Sequence, residues 1–293
     1  MLLPGGGVAW LVWPGSVGSL GRAIDMSVSQ LAASRELLWN LTLRELRTKY
    51  RRSVLGWSWS MLNPLATTVI YSIVFGKILG SSALPGHPSG IDSFALFLLC
   101  GLLPWSFFAL VQNLGMSAMV ANAGLVRKVA FPREVLVFAQ VGHGIVQFSI
   151  EIALLVVILL IAGSPLLPWL PVTVLLMLML ATFASGFALA LAAIGVYLRD
   201  LPYLWAILLQ VWFFATPIVY SPETLDANLS GWQSTVLSYN PMGRFVAAFR
   251  RTLYDGRAPG WQTIAALLAI SVVSLALGWL IFDKLSRRFA EEL

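Results

Sequence analysis

Three groups of side chains in this chain have the types and spacing to do chemistry. The first is basic: Arg44, Arg47, Lys49, Arg51 and Arg52 crowd one short stretch, and such a cluster on a surface-lying helix faces water or lipid headgroups. The second is aromatic. Trp212-Phe213-Phe214 precedes Thr216-Pro217, and Tyr71 and Phe75 lie in another apolar run. Rings deep in a bilayer ordinarily fill a core or form belts. Sugars also stack their apolar faces on aromatic planes, so a conduit lined this way suits a carbohydrate. The third group is polar: His143, Gln147 and Glu151 are spaced i, i+4, i+8 and share one helical face, with Gln140 nearby. A carboxylate left charged at mid-bilayer costs about 2.5–3.5 kcal/mol on insertion scales. Glu151 is therefore either a proton relay or part of a stripe that joins helices by hydrogen bonds.

The elements that must position these groups are dictated by composition. The chain is 58% hydrophobic and 11% charged, against roughly 25% charged residues in a soluble domain, so too few charges remain to solvate a globule. Crossing roughly 30 Å of hydrocarbon takes about 20 mostly apolar residues. Six stretches qualify, at about 57–79, 94–120, 135–162, 167–198, 203–220 and 261–282. The expected fold class is all-α, a polytopic membrane protein with six transmembrane helices, an N-terminal amphipathic interface helix and two short extracytoplasmic re-entrant helices. Residues 1–35 read as a poorly ordered or surface-lying leader, unlike a secretory signal because Pro4, Gly5, Gly6, Gly7 and Pro14 interrupt its apolar run. Residues 36–293 form the transmembrane domain. The third and fourth spans are long enough to tilt or to extend beyond the bilayer.

Charge sets the expected orientation. Lys and Arg resist translocation and collect in cytoplasmic loops. With six spans and both termini inside, all 19 basic residues fall on the inner side except Lys77, Arg244, Arg250, Arg251 and Arg257. Four of those five share one long loop, where the rule is weakest. The net charge of +6 thus reads as topology, and nucleic acid is not a partner.

Residues 36–52 read as an amphipathic helix, with Trp39, Leu43, Leu46 and Tyr50 on one face, Arg44, Arg47 and Arg51 on another, and a Glu45–Lys49 i,i+4 pair. It is either a positive-inside anchor for the first span or a lever for a cytoplasmic partner. Between the second and third spans, Asn122 can cap a short helix and Pro132 can open the next. The result is a basic elbow presenting Arg127, Lys128 and Phe131, and Arg199-Asp200-Leu201-Pro202 makes a second. The loops 81–92 and 163–165 read as plain connectors. Ser221-Pro222 and Asn240-Pro241 each signal a helix start. After Asn240, the residues Met242, Phe245, Val246, Phe249 and Leu253 form an apolar face, with Arg244, Arg250 and Arg251 elsewhere, and Asp255-Gly256 closes the helix. Trp57, Trp59, Trp105 and Trp261 fit interface belts.

Several chemistries are excluded. No G-x-x-x-x-G-K-[ST] loop, H-E-x-x-H or G-x-S-x-G is present, so this chain does not bind ATP in the P-loop manner and is not an enzyme alone. One cysteine, Cys100, and two distant histidines, His87 and His143, make neither a disulfide framework nor a metal cage.

Taken together, LTLRELRTKYRRSVLGWSWSMLNPL (41–65), LLCGLLPWSFF (98–108), NAGLVRKVAFPREVL (122–136), RDLPYL (199–204), FFATPIVYSPE (213–223) and YNPMGRFVAAFR (239–250) resemble the permease subunits of ABC-2-type exporters of lipid-linked polysaccharides: O-antigens, capsules, teichoic acids and mycobacterial galactan. The resemblance implies a plasma (inner) membrane homodimer joined to two copies of a separate nucleotide-binding ATPase that holds ATP and Mg. It assigns ATPase coupling to Glu36, Arg44, Arg47, Asn122, Arg127, Lys128, Phe131 and Pro132. Binding of the lipid pyrophosphate falls to Arg47, Lys49, Arg51 and Arg52, and the sugar channel to Tyr71, Phe75, Trp212 and Phe213. The exit-side helices contain Pro222, Asn240, Pro241 and Arg244. No cofactor is expected in this chain.

Three rival readings compete. A proton-coupled secondary transporter would use Glu151 and usually shows internal repeats, which the two halves lack. An ABC-2-type exporter of a lipid or small molecule remains open as well. A membrane-bound glycosyltransferase would need clustered carboxylates, whereas Asp92, Asp200, Glu223 and Asp226 are scattered.

Overall fold

Helix is the only regular structure among the described residues of the computed structural model, which are 34–49, 56, 58–78, 80, 85–129, 131–220, 239–286 and 289. In chain order the helices are α1 (Arg35–Lys49), α2 (Ser58–Tyr71, continued as a π-helix over Ser72–Ile78), α3 (Phe94–Ala121) and α4 (Ala123–Lys128). They are followed by α5 (Glu134–Ile161), α6 (Leu170–Tyr197, entered through a 3-10 turn at Leu167–Trp169), α7 (Leu201–Ala215), α8 (Pro241–Leu253) and α9 (Trp261–Ser286). Residues 1–33 of the leader, the helix start at Pro222, and Arg51 and Arg52 lie outside the described residues, and Arg35, counted in the leader by sequence, opens α1.

Among the described residues, five helical segments are long and apolar enough to cross a membrane: Met61–Ile78, Phe94–Ala121, Glu134–Ile161, Leu167–Tyr197 and Trp261–Ser286. The expected sixth, 203–220, is shorter. Helix α7 has 15 residues, about 22 Å of rise, and stops at Thr216, which is extended at φ −100° and ψ 131°. Pro217 explains the stop, since its ring disfavours helical geometry in the residue before it. The chain still travels on, for Pro217 and Ile218 reach a guanidinium that also bonds Phe97 near the start of α3.

Helix α3 lies at the centre, against α5 and α6, and α9 packs along α6. The α6–α9 contact is the tightest. A Cβ on Gly278 would lie 1.9 Å from the Gly186 carbonyl oxygen, while Ser271 and Ser274 donate to the Met179 and Phe183 carbonyls, each at 2.9 Å. Small residues let helix backbones approach where the lipid gives no hydrophobic drive. Helices α2 and α7 are the least covered: no residue of the π-helical turn is buried, and in α7 only Trp205 and Leu209 are.

The bundle has two distinct ends. At one, the Tyr197 hydroxyl donates to Leu285 O at 2.8 Å and Arg133 donates to Ser286 O, which brings the end of α9 beside the elbow after α3. At the other, α8 is seated among loops that sequence reads as plain connectors. Ser164 donates to Leu253 O at 3.0 Å, Ser89 N donates to Asp255 O at 3.1 Å, and the Tyr254 hydroxyl donates to Ile91 O at 2.7 Å. Ser164 thereby satisfies the Leu253 carbonyl, one of those that a helix terminus cannot satisfy internally.

Candidate functional site

At the elbow end, α1 presents three faces where the sequence pattern shows two. Leu41 and Thr42 are buried against α5, with the Thr42 hydroxyl 3.0 Å from where a Cβ on Gly142 would stand. Trp39 remains 61% exposed on the apolar face, and Arg44 and Arg47 are exposed on the basic face. The face that fastens the helix is thus Leu38, Leu41 and Thr42. Its signal was a glycine on a distant helix, which periodicity within α1 cannot reveal.

The expected cap at Asn122 is not made by its side chain, which forms no capping hydrogen bond to α4. Its amide nitrogen donates to Ala118 O at 2.9 Å, and its Oδ1 accepts from Arg44 at 2.8 Å. Arg44 also meets Glu45 Oε1 at 2.7 Å, so Glu45 is engaged by its neighbour; the side chain of Lys49 lies outside the described residues. The Arg44–Asn122 bond joins the interface helix directly to the elbow. Arg127 and Lys128 are exposed in the last turn of α4, Glu36 is exposed at the start of α1, and Phe131 and Pro132 are half-buried. Pro132 stands just ahead of α5, its carbonyl accepting from Val135 N at 3.2 Å.

In the middle of the bundle the four aromatic candidates fall into one row. Tyr71 meets Phe75 with centroids 5.7 Å apart and Phe213 at 6.1 Å. Trp105 bridges Phe213 and Trp212 at 5.6 Å and 6.2 Å. Trp212 is also packed on Phe108 and Phe187 at 5.2 Å and 5.6 Å. Trp105, expected in an interface belt, is 6% exposed and belongs to this interior row; it follows Pro104, eleven residues into α3, where a belt residue would stand at a helix end. Trp261 and Trp59 are exposed as a belt requires.

At the other end, Asn240 caps α8 as its sequence announces. Its Oδ1 accepts from Met242 N at 3.0 Å and Gly243 N at 3.3 Å, and also from the Trp212 indole N–H at 3.0 Å. Its amide nitrogen donates to Ala215 O and Thr216 Oγ1, both at 3.0 Å. Pro241 occupies the first helical position. The apolar face Met242, Phe245, Val246, Phe249 and Leu253 is buried throughout, and Gly256 leaves the helix at φ +75°. Arg244 is half-buried. Arg250 corrects the sequence reading: expected away from the apolar face, it is 7% exposed. Its guanidinium lies 3.6 Å from the Phe97 ring centroid and donates to the carbonyls of Phe97 at 3.3 Å, Pro217 at 2.5 Å and Ile218. It ties α3, the segment after α7, and α8 together. Spacing within α8 does not distinguish it from Arg251, which is exposed.

Glu151 is 2% exposed and accepts a 2.8 Å hydrogen bond from Gln147, so the i, i+4 part of the polar stripe forms as its spacing implies.

The profile described as "ABC-2 type transporter" matches residues 36–254. The "O-antigen export system permease protein RfbA" of Myxococcus xanthus is 33% identical over 91% of this chain and 98% of its own length. A Klebsiella pneumoniae protein of the same name is 28% identical over 87% and 94%, and the "Polysialic acid transport protein KpsM" of Escherichia coli is 26% identical over 81% and 89%. With its matched region covering the interface helix, the elbow, the aromatic row and α8, the chain belongs to the ABC-2 type transporter family.

Proposed function

We propose that this chain is the membrane-spanning permease of an ATP-driven exporter that moves a lipid-linked polysaccharide out of the cytoplasm, with two copies forming the conduit and two copies of a separate ATPase supplying the energy. The observation that carries the mechanical half is the Arg44–Asn122 bond. It makes α1 and the elbow one platform, so a push on Arg127 and Lys128 is felt by the helix that leads into α2. The elbow end is then cytoplasmic, in keeping with its basic residues, and α8 stands on the exit side. The names of the relatives supply the polysaccharide half.

The remaining roles follow on this reading. Glu36, Arg47, Phe131 and Pro132 complete the ATPase-facing surface with Arg44 and Asn122. Arg47, Lys49, Arg51 and Arg52 attract the pyrophosphate of the carrier, as clustered cations do. Tyr71, Phe75, Trp212 and Phe213 offer a stacking row that holds sugars without fixing one register. The second copy lies along α2 and α7, whose Ile70, Ile73, Ile207 and Val211 are exposed in the single chain. Pro222, Asn240, Pro241 and Arg244 belong to the exit-side helices.

The test is export of polymer to the cell surface by the complete permease–ATPase assembly. Arg47→Glu combined with Arg51→Glu is expected to abolish export while the chain still inserts in the membrane, and unchanged export would reject the assignment of the patch. Arg127→Glu with Lys128→Glu is expected to lose co-purification of the ATPase, and retained co-purification would remove the platform from the coupling route.

A further inference from the structure

The end of α9 meets both elbows of the bundle. Helix α9 has 26 residues, about 39 Å of rise, against roughly 30 Å of hydrocarbon. Trp261, 76% exposed at its first position, marks one membrane boundary as a belt residue does. The surplus of about 9 Å therefore stands beyond the other boundary, and it carries Leu285 and Ser286 to the elbow end.

Two side chains grip that end. The last four carbonyls of a helix have no partner within it, and here side chains from other elements take two of them. Arg133, which leads from the first elbow into α5, donates to Ser286 O, and a cation is favoured at a helix C-terminus. Tyr197, the last residue of α6 and just ahead of the second elbow at residues 199–202, donates its hydroxyl to Leu285 O at 2.8 Å. Phe289 completes the clamp. Its ring is 0% exposed and lies 5.7 Å from the Arg133 guanidinium, a cation–π distance. It is also 6.2 Å from the Tyr197 ring and 5.7 Å, edge-on, from Phe282. One apolar side chain is thus packed between the approaches to both elbows.

Water ordinarily serves such carbonyls at a helix end outside the hydrocarbon, so packing alone requires neither donor. What the donors and the buried ring make is a link. Helices α6 and α9 approach at backbone distance at Gly186 and Gly278, so a force on the end of α9 is shared by α6. The clamp fastens the first elbow to this pair, and α7, which carries Trp212 and Phe213 of the aromatic row, starts at Leu201, just after Tyr197. We propose that Phe289 is a positioning residue for coupling: by holding Arg133 against the end of α9 beside Tyr197, it passes a push on the first elbow to the second elbow and to α7. The proposal rests on the export reading and deepens it, because the Arg44–Asn122 bond accounts only for how a push reaches α2. Without the ring, the first elbow yields alone, and nucleotide is spent without moving α7.

The experiment uses the full permease–ATPase assembly in inside-out vesicles from a host that makes its lipid-linked polysaccharide. It reads co-purification of the ATPase, ATP hydrolysis, and polymer exported per ATP hydrolysed. Phe289→Ala is expected to keep co-purification and to keep hydrolysis within about twofold, while polymer exported per ATP falls at least about fivefold, the low end of coupling between distant sites. A residue that only stabilised the fold would lower the amount of assembly and leave that ratio alone. An unchanged ratio, whether both rates hold or both fall together, therefore overturns the proposal. Loss of ATPase co-purification would make Phe289 part of docking and overturns it as well. If Phe289→Ala yields no folded assembly, Tyr197→Phe decides. It keeps the ring contact with Phe289 and removes only the bond to Leu285 O, so it is expected to lower the ratio at least about twofold; no change there sinks the proposal. If the unsubstituted assembly shows no ATP-dependent export, the export reading itself falls, a result distinct from all the others.

Discussion

Arg250 shows how one side chain can close an end of the bundle. Three carbonyls from two separate segments converge on its guanidinium above the Phe97 ring. Two of them, on Pro217 and Ile218, are groups that α7 would have satisfied internally had it continued as a helix. Removing the donor leaves buried acceptors unpaired, each costing about 1–3 kcal/mol. Arg250→Met is therefore expected to lower the thermal unfolding midpoint of the detergent-purified chain sharply. Arg250→Lys should recover only part of the loss, because one ammonium cannot reproduce a planar fork of donors. Asn240 is the companion case: it caps α8 and simultaneously holds the Trp212 indole, so Asn240→Ala should cost more than the usual cap loss of about 1 kcal/mol.

Among the elements, α1 and the elbow are the pair whose geometry matters most. Both are short and basic, and each is seated by a few apolar residues, Leu38 and Leu41 in α1 and Val126 and Phe131 in the elbow. Their union comes from Leu41 and Thr42 on α5 and from Arg44 on Asn122. A double-mutant cycle with Arg44→Ala and Asn122→Ala is expected to show a coupling of about 0.5–1.5 kcal/mol in unfolding free energy, the range for an ordinary hydrogen bond, because solvent screens the charge of the exposed Arg44. Strict additivity of the two losses would show that the helix and the elbow are energetically independent. A platform is also expected to transmit force, so either single substitution should lower ATP-driven export more than it lowers the amount of folded protein.

The molecule as a whole is a well-packed half and a sparsely packed half. Helices α3, α5, α6 and α9 bury serine, glycine and aromatic side chains against one another, while α2 and α7 expose apolar rows and border the aromatic row. That division suits a conduit built from two copies, with rigid outer walls and inner walls that can move. Gly278→Leu tests the rigid part: its side chain would collide with the Gly186 carbonyl, and overpacking of this kind costs about 1–3 kcal/mol where neighbours can shift and more where the obstacle is backbone. Loss of a monodisperse peak after detergent extraction is the expected result, and an unchanged peak would show that the α6–α9 contact adapts.

Much of this architecture is legible without any structure. Hydropathy alone reveals the long spans because lipid offers the backbone no partners, so each span must satisfy itself as a helix. The cap at Asn240, the first helical position of Pro241 and the turn at Gly256 are local chemistry, readable from adjacent residues. The early end of α7 is signalled by Pro217, and the apolar run that continues past it hides the stop from hydropathy. What the tertiary structure alone decided are meetings between residues distant in sequence: Arg250 with Phe97 and Ile218, Arg44 with Asn122, and Trp105 with Phe213. Periodicity reports which face of a helix is apolar, not which neighbour it meets, and these contacts depend on how the helices are arranged around α3.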